Sequence, residues 1–207
     1  DRRRNADDDI YIYRMSVKRS LSEYGEVAET AIKKELQQMI DKDVFEFVEP
    51  GVLTKSQRKS VIRSSMFMKE KFDPSGAFTK LKARLVAGGD QQDKSIYGDI
   101  SSPTVSLESI MMAIAIAAAE RRHIATCDVT GAFLEAEMPA GEDVFMSLDP
   151  AITGMIAGLS DSATRCVGTN GCLVVKLKRA LYGCVQSSKL WFDKLCHVLR
   201  DIGFVAN

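Results

Sequence analysis

Asp128 closes the β-forming run His123-Ile124-Ala125-Thr126-Cys127-Asp128-Val129, and Thr130-Gly131-Ala132-Phe133-Leu134 follows it. A carboxylate ending an otherwise apolar strand is costly unless it is paired or bound to a cation. Magnesium suits such a position, because it takes one or two carboxylates and fills its shell with water and phosphate oxygens. The alternative is an aspartate that merely caps a strand–helix corner. An aspartyl-nucleophile phosphatase would need a second Asp two residues on, and Thr130 stands there instead. Phe133 sits where an aromatic walls a pocket or fills plain core.

Phosphate chemistry also needs fixed positive charge. Lys+Arg and Asp+Glu are both 28, so the net charge is zero and indicates no polyanion partner. Position is more informative. Thr54–Arg84 holds nine basic residues and two acidic ones, and Arg165–Arg200 holds seven and one. Glu120–Asp149, between them, holds seven acidic and two basic residues. Two basic stretches around an acidic one match a site for phosphates and metal cations together. Ordinary solvated faces would give the same count. Tyr182-Gly183-Cys184-Val185-Gln186-Ser187 leads from a strand into a helix, where backbone N–H groups can meet an anion. Gly88-Gly89 is not a phosphate loop, since neither GxGxxG nor GxxxxGK[ST] occurs. His123 and His197 are isolated, and Cys166 and Cys172 lack partners at metal-ligand spacing.

The elements that must position these groups follow from periodicity. Ala28, Ala31, Ile32, Leu36, Met39 and Ile40 recur at helical spacing over Glu26–Ile40, and Val44–Val48 reads as a short strand. A short helix is expected over Ser56–Ser64. Strands Met66–Phe72 and Ala77–Val86 form a hairpin through Asp73-Pro74-Ser75-Gly76, a type I turn by its Pro and Gly positions. Alternation puts Lys80, Lys82 and Arg84 on one face, Leu81, Ala83 and Leu85 on the other, and Lys69 with Lys71 on the partner strand. Ser106–Glu120 reads as a helix capped by Ser106, so apolar all round that burial is expected. His123–Val129, Val144–Leu148 and Leu173–Leu177 read as strands, and residues 150–172 as a loop rich in Gly, Ser and Thr. Ser187–Ile202 is an amphipathic helix with Leu190, Trp191, Leu195, Val198, Leu199 and Ile202 inward and Gly203 ending it.

These 207 residues, 45% hydrophobic and 27% charged, have ordinary globular composition. The longest apolar run, Ile110–Ala119, is ten residues, short of the ~18 a membrane helix requires. Five cysteines without CxxC pairs argue against a disulfide framework or zinc ribbon, and fit a reducing compartment. No initiator Met or signal peptide precedes Asp1-Arg2-Arg3-Arg4, so an excised segment is expected. Residues 1–20, with Asp7-Asp8-Asp9, read as a polar linker ahead of one domain over 21–207. Irregularly interleaved helices and strands favour an α+β fold with an antiparallel sheet and packed helices.

Four blocks in order resemble the reverse transcriptase of copia-type LTR retrotransposons. They are Lys82-Ala83-Arg84-Leu85-Val86-Ala87 with Gly89 and Gln91; Ser102-Pro103-Thr104 leading to Glu108-Ser109-Ile110; Cys127-Asp128-Val129 with Ala132-Phe133-Leu134 and Met146; and Lys176-Leu177-Lys178-Arg179-Ala180-Leu181-Tyr182-Gly183 with Gln186, Trp191 and Gly203-Phe204. The resemblance covers roughly Glu26 to the end. It implies right-hand polymerase fingers and the first part of the palm, and an RNA-directed DNA polymerase that joins nucleotides to a primer 3′-hydroxyl. Asp128 is then a metal-binding and catalytic acid, helped by the main-chain carbonyl of Val129. Phe133 selects deoxynucleotides. Lys82 and Arg84, with Lys69 or Lys71, hold the incoming triphosphate, and Gln186 lies beside nucleotide and template. Two Mg²⁺ ions, a template–primer of RNA or DNA, and deoxynucleoside triphosphates are the implied partners. So is the remainder of a Pol polyprotein: the rest of the palm, thumb and RNase H, with integrase upstream. No membrane partner is implied. The expected place is the cytoplasm, in a virus-like particle, or the nucleus.

The sequence departs from the family pattern. It stops at Asn207, before a Tyr-x-Asp-Asp hairpin. Ser188 replaces the Pro expected after Gln186-Ser187, Met111 replaces a basic residue, and the Trp usual before the first fingers strand is absent. The chain alone is therefore expected to incorporate no nucleotide. The alternative reading is a non-catalytic nucleic-acid-binding remnant of a retroelement.

Overall fold

The computed structural model describes residues 15–205, so the Asp7-Asp8-Asp9 run lies outside the described residues. Chain order is β1 (Met15–Ser16), α1 (Val17–Tyr24), α2 (Glu26–Asp41), β2 (Phe45–Val48), α3 (Lys55–Lys59), β3 (Ile62–Phe72) and β4 (Phe78–Ala87). There follow α4 (Leu107–Ala119), β5 (Phe145–Leu148), α5 (Pro150–Ala157), α6 (Asp161–Arg165), β6 (Leu173–Leu177) and α7 (Ser187–Asp201). The fold is α+β with one open sheet, ordered β1-β3-β5-β6-β2, with β4 paired to β3. The sheet is mixed rather than wholly antiparallel. Ile62 and Arg63 of β3 run parallel to Met146 and Ser147 of β5, and the other pairings are antiparallel.

Helix α2 carries the core. Ala28, Ile32, Leu36 and Met39 are buried, and the helix packs against β4, where Leu81, Ala83, Leu85 and Ala87 are buried. Glu35, on the same helix, accepts a hydrogen bond from the Leu85 N–H at 3.2 Å. That bond satisfies a donor on the side of β4 away from β3, which would otherwise be orphaned. Burial raises the pKa of Glu35, while the Leu85 N–H and the charges of Lys82 and Arg84 pull the other way.

The hairpin forms as its alternation requires. Asp73 O accepts from Gly76 N at 2.9 Å, and the Asp73 carboxylate accepts from Ser75 N and Ala77 N. Gly76, at φ +82, supplies the left-handed residue that returns the chain to β4.

Several expectations are corrected. Residues 15–20 of the stretch read as linker belong to the fold: Ser16 caps α1 by accepting from the Arg19 N–H, and Met15 is buried. The helix expected over Ser56–Ser64 stops at Lys59, because Ile62 onward is drawn into β3 by its pairing. Residues 150–172 are not all loop, since α5 and α6 occupy 150–157 and 161–165. The Asp149 carboxylate accepts from Ala151 N and Ile152 N, Pro150 takes the first turn, and Ile152 and Ile156 are fully buried. Those apolar anchors outweigh the Gly/Ser/Thr composition.

Helix α4 is capped by Ser106, but it is not buried. Leu107, Met111, Met112 and Ile116 are each more than half exposed. Apolar sequence sets the demand for a cover, not its presence. The stripe on α7 is only half-buried, with Val198 and Ile202 exposed. His123–Val129 forms no strand, because no described strand supplies it with a hydrogen-bonding ladder. No helix among the described residues is long and apolar enough to cross a membrane.

Candidate functional site

The basic face of the hairpin is built by register. Lys69 lies opposite Lys82, Lys71 opposite Lys80, and Phe67 opposite Arg84. Like charges directly across an antiparallel pair destabilise it, so the four lysines sit together at a cost that a bound anion would offset. None of the four has an ion-pair partner among the described residues. The second basic stretch differs. Lys176 pairs with Asp143, Lys178 with Asp43 and Lys189 with Asp193. Three of its seven cations are thus paired within the fold, whereas all four hairpin lysines are free of ion pairs among the described residues.

The acidic stretch thins out in the same way. Glu120 pairs with Arg122, Glu135 with Lys42 and Asp143 with Lys176, and Asp149 caps α5. Asp128 has no such employment. It is exposed, in a segment without regular structure, and has no hydrogen-bond or ion-pair partner among the described residues. Val129 is exposed beside it.

The oxygen donors of Asp128 and Val129 are of the hard kind magnesium takes. Their number suits one ion that keeps most of its water. No group of three or more His, Cys, Asp or Glu able to hold a metal occurs among the described residues, so a two-ion centre is not formed by them.

Three segments meet at Tyr182. The Arg84 guanidinium carbon lies 4.8 Å from the centre of the Tyr182 ring. The Phe133 ring lies 4.9 Å from it, tilted by 49°. Phe133 is brought there by Gly131, left-handed at φ 68, which turns the chain into a short 3-10 turn over Ala132–Glu135. Helix α7 packs on that turn, and Leu134 is buried beneath it. The backbone locks the same junction: Ala87 N donates to Tyr182 O at 2.8 Å.

Gln186 is buried at 4% exposure, immediately before α7. Its side-chain oxygen accepts from Gln92 Nε2 at 3.2 Å, and its Nε2 donates to the Tyr97 hydroxyl at 3.4 Å. Gln92 also donates to Tyr97 at 2.7 Å and accepts from the Val185 N–H at 2.9 Å. Burial moves Tyr97 upward in pKa, against the pull of the two glutamine hydrogen bonds. The adjacent Gln91 accepts from Arg63 N at 3.1 Å and so ties this loop to β3.

The sequence-predicted residues therefore fall into four groups. Arg84 and Phe133 share Tyr182. Lys69, Lys71 and Lys82 line the hairpin face. Gln186 is sealed in a polar network, and Asp128 makes no hydrogen bond or ion pair with any of them among the described residues. Sequence reasoning missed Gln92, Tyr97 and the pivotal place of Tyr182. The signal for Gln92 was the Gly88-Gly89 pair just before it, which marks a close backbone approach.

The structure brings Arg84 of β4, Phe133 and Tyr182 together, and comparison with known proteins assigns the sequence that carries them to a family. Residues 44–207 match the family described as Reverse transcriptase (RNA-dependent DNA polymerase). Retrovirus-related Pol polyprotein from transposon RE1 of Arabidopsis thaliana is 28% identical over 176 residues, which is 84% of this chain and 11% of that protein. The corresponding polyprotein from transposon RE2 of Arabidopsis thaliana is 30% identical over 137 residues, 66% of this chain and 8% of that protein. That from transposon TNT 1-94 of Nicotiana tabacum is 27% identical over 172 residues, 83% and 11%. The chain thus spans about a tenth of the length of the curated relatives it matches. No solved structure matches it. With the matched region covering most of the chain and holding every motif that converges on Tyr182, this chain belongs to the reverse transcriptase (RNA-dependent DNA polymerase) family, in the branch carried by copia-type Pol polyproteins.

Proposed function

We propose that the chain is the fingers and first part of the palm of an RNA-directed DNA polymerase, which adds deoxynucleotides to a primer 3′-hydroxyl within a Pol polyprotein. The observation that carries this reading is the convergence of Arg84 and Phe133 on Tyr182, with Arg84 on the same hairpin face as Lys69, Lys71, Lys80 and Lys82. Phosphoryl transfer asks for placement and charge neutralisation more than for covalent chemistry, and this surface offers both. Lys82 and Arg84, with Lys69 and Lys71, hold the triphosphate. Phe133 closes the space beside the sugar and excludes a 2′-hydroxyl. Gln186 braces the floor through Gln92 and Tyr97. Asp128 and the Val129 carbonyl hold magnesium, which when bound neutralises phosphate charge and activates the attacking hydroxyl. The basic surface faces the template–primer backbone, so binding falls with salt.

The test is primer extension by a Pol polypeptide that contains this chain and continues through the polymerase domain. Asp128→Asn is expected to abolish extension while leaving the melting temperature unchanged. Extension by Asp128→Asn at the native rate would overturn the proposal. The 207-residue chain alone is expected to extend nothing, because Asp128 has no companion acids among the described residues. The lysine face of the hairpin would equally serve a second reading, a non-catalytic nucleic-acid-binding remnant. It predicts salt-dependent RNA or DNA binding that survives Asp128→Asn in a polypeptide that never polymerises.

A further inference from the structure

We infer that Tyr182 is a positioning residue, whose ring pre-orients Arg84 for the triphosphate of the incoming nucleotide; the inference rests on the polymerase reading above. An arginine side chain carries substantial rotamer entropy, and ordering it on an anion costs affinity. Arg84 has no ion-pair partner among the described residues to hold it still. What holds it is the face of Tyr182, 4.8 Å away, through a cation–π contact.

Tyr182 is itself fixed three ways. Its carbonyl accepts from Ala87 N at 2.8 Å. The following Gly183, at φ +92, presses against the Ala87 carbonyl. Its ring packs on Phe133 at 4.9 Å. The Tyr182 hydroxyl has no hydrogen-bond partner among the described residues. The ring face, not the phenol, is therefore the working part. One ring thereby sets the spacing between the cation that meets the phosphates and the aromatic that meets the sugar.

The experiment uses the Pol polypeptide that contains this chain and continues through the polymerase domain, and measures its dissociation constants for a fluorescent N-methylanthraniloyl deoxyadenosine triphosphate. Tyr182→Leu is expected to weaken binding roughly threefold to tenfold. Tyr182→Phe restores the native value. Arg84→Ala weakens binding as well, and adding Tyr182→Leu to it weakens binding no further, because both remove the same contact. If Tyr182→Leu fails to fold by circular dichroism, phenylalanines of increasing fluorination at 182 decide. They keep the ring's shape while draining its negative face, so the dissociation constant must climb with each fluorine. Native affinity in Tyr182→Leu, or a flat fluorine series, overturns the inference while an impaired Arg84→Ala leaves the polymerase reading standing. No binding by the native polypeptide, or full binding by Arg84→Ala, overturns the polymerase reading and the inference with it.

Discussion

A Cβ atom on Gly89 would stand 1.9 Å from the carbonyl oxygen of Gly183. The exit of β4 and the loop into α7 therefore touch backbone to backbone, across nearly a hundred residues of sequence. The contact is mutual, since a Cβ on Gly183 would meet the Ala87 carbonyl oxygen at 2.1 Å. Two of the family's motif blocks are joined here by the absence of side chains.

Gly183→Ala combines that collision with a left-handed φ of +92. It is expected to cost about 2–4 kcal/mol of stability. Gly89→Ala lacks the backbone strain but keeps the clash, and is expected to cost somewhat less. Urea unfolding followed by circular dichroism measures both. Midpoints unchanged from the native chain would mean that the two loops are not in contact.

Glu35 makes stability depend on pH in a defined direction. Its folded pKa is raised above its ordinary 4.5, by burial first. The folded state then binds this proton more tightly than the unfolded state does. Its favourable contribution is complete below 4.5 and is lost as pH rises through the folded value. Glu35→Gln keeps an acceptor for the Leu85 N–H and carries no charge. It is expected to match or exceed native stability at pH 7 and to lose that advantage below pH 4.5. Parallel unfolding curves across pH 4 to 8 test this, and an advantage that grew toward acid pH would contradict it.

Lys69→Glu replaces a like-charge pair with an opposite-charge one, because Lys82 is directly across the ladder. The hairpin should gain about 0.5–1 kcal/mol. The gain is electrostatic and partly exposed, so it should shrink in molar salt. Denaturation at low and high salt measures it, and a loss of stability at low salt would rule the argument out.

Gln92→Leu strips the Val185 N–H and the Gln186 amide of a partner inside a buried network. Unpaired buried polar groups cost about 1–3 kcal/mol each. The same change should raise the pKa of Tyr97 further, since burial, the first cause of its elevation, remains while the opposing Gln92 hydrogen bond is lost. Equilibrium unfolding together with an ultraviolet titration of the tyrosines checks both parts.

Much of the hairpin was legible because a period of two is a local property. Lys80, Lys82 and Arg84 had to share a face whatever else the chain did. Helices α2 and α7 were legible from apolar spacing, and α4 from its cap. What a helix meets is not local, and neither is a strand's partner. Hence α4 read as buried, and His123–Val129 as a strand. The helices after Asp149 were hidden because a cap and two isoleucines count for more than glycine and serine content. The Gln92–Gln186 bond joins residues 94 apart, and nothing in either neighbourhood encodes the other. Tyr182 stood in a recognisable motif, yet its partners Arg84 and Phe133 become apparent only once the chain is folded.

The hairpin is joined to β5 over a very short stretch: Ile62 and Arg63 by pairing, and Ser64 by a 2.9 Å hydrogen bond from its hydroxyl to Ser147 O. From that joint the eleven residues of β3 reach roughly 30 Å to the turn at about 3.3 Å per residue. This is the geometry of a lever with its fulcrum at one end. A swing of about 5° at Ile62–Ser64 would carry the Asp73–Gly76 tip about 3 Å, a full hydrogen-bond length, and Arg84, opposite Phe67 midway along β3, roughly half as far.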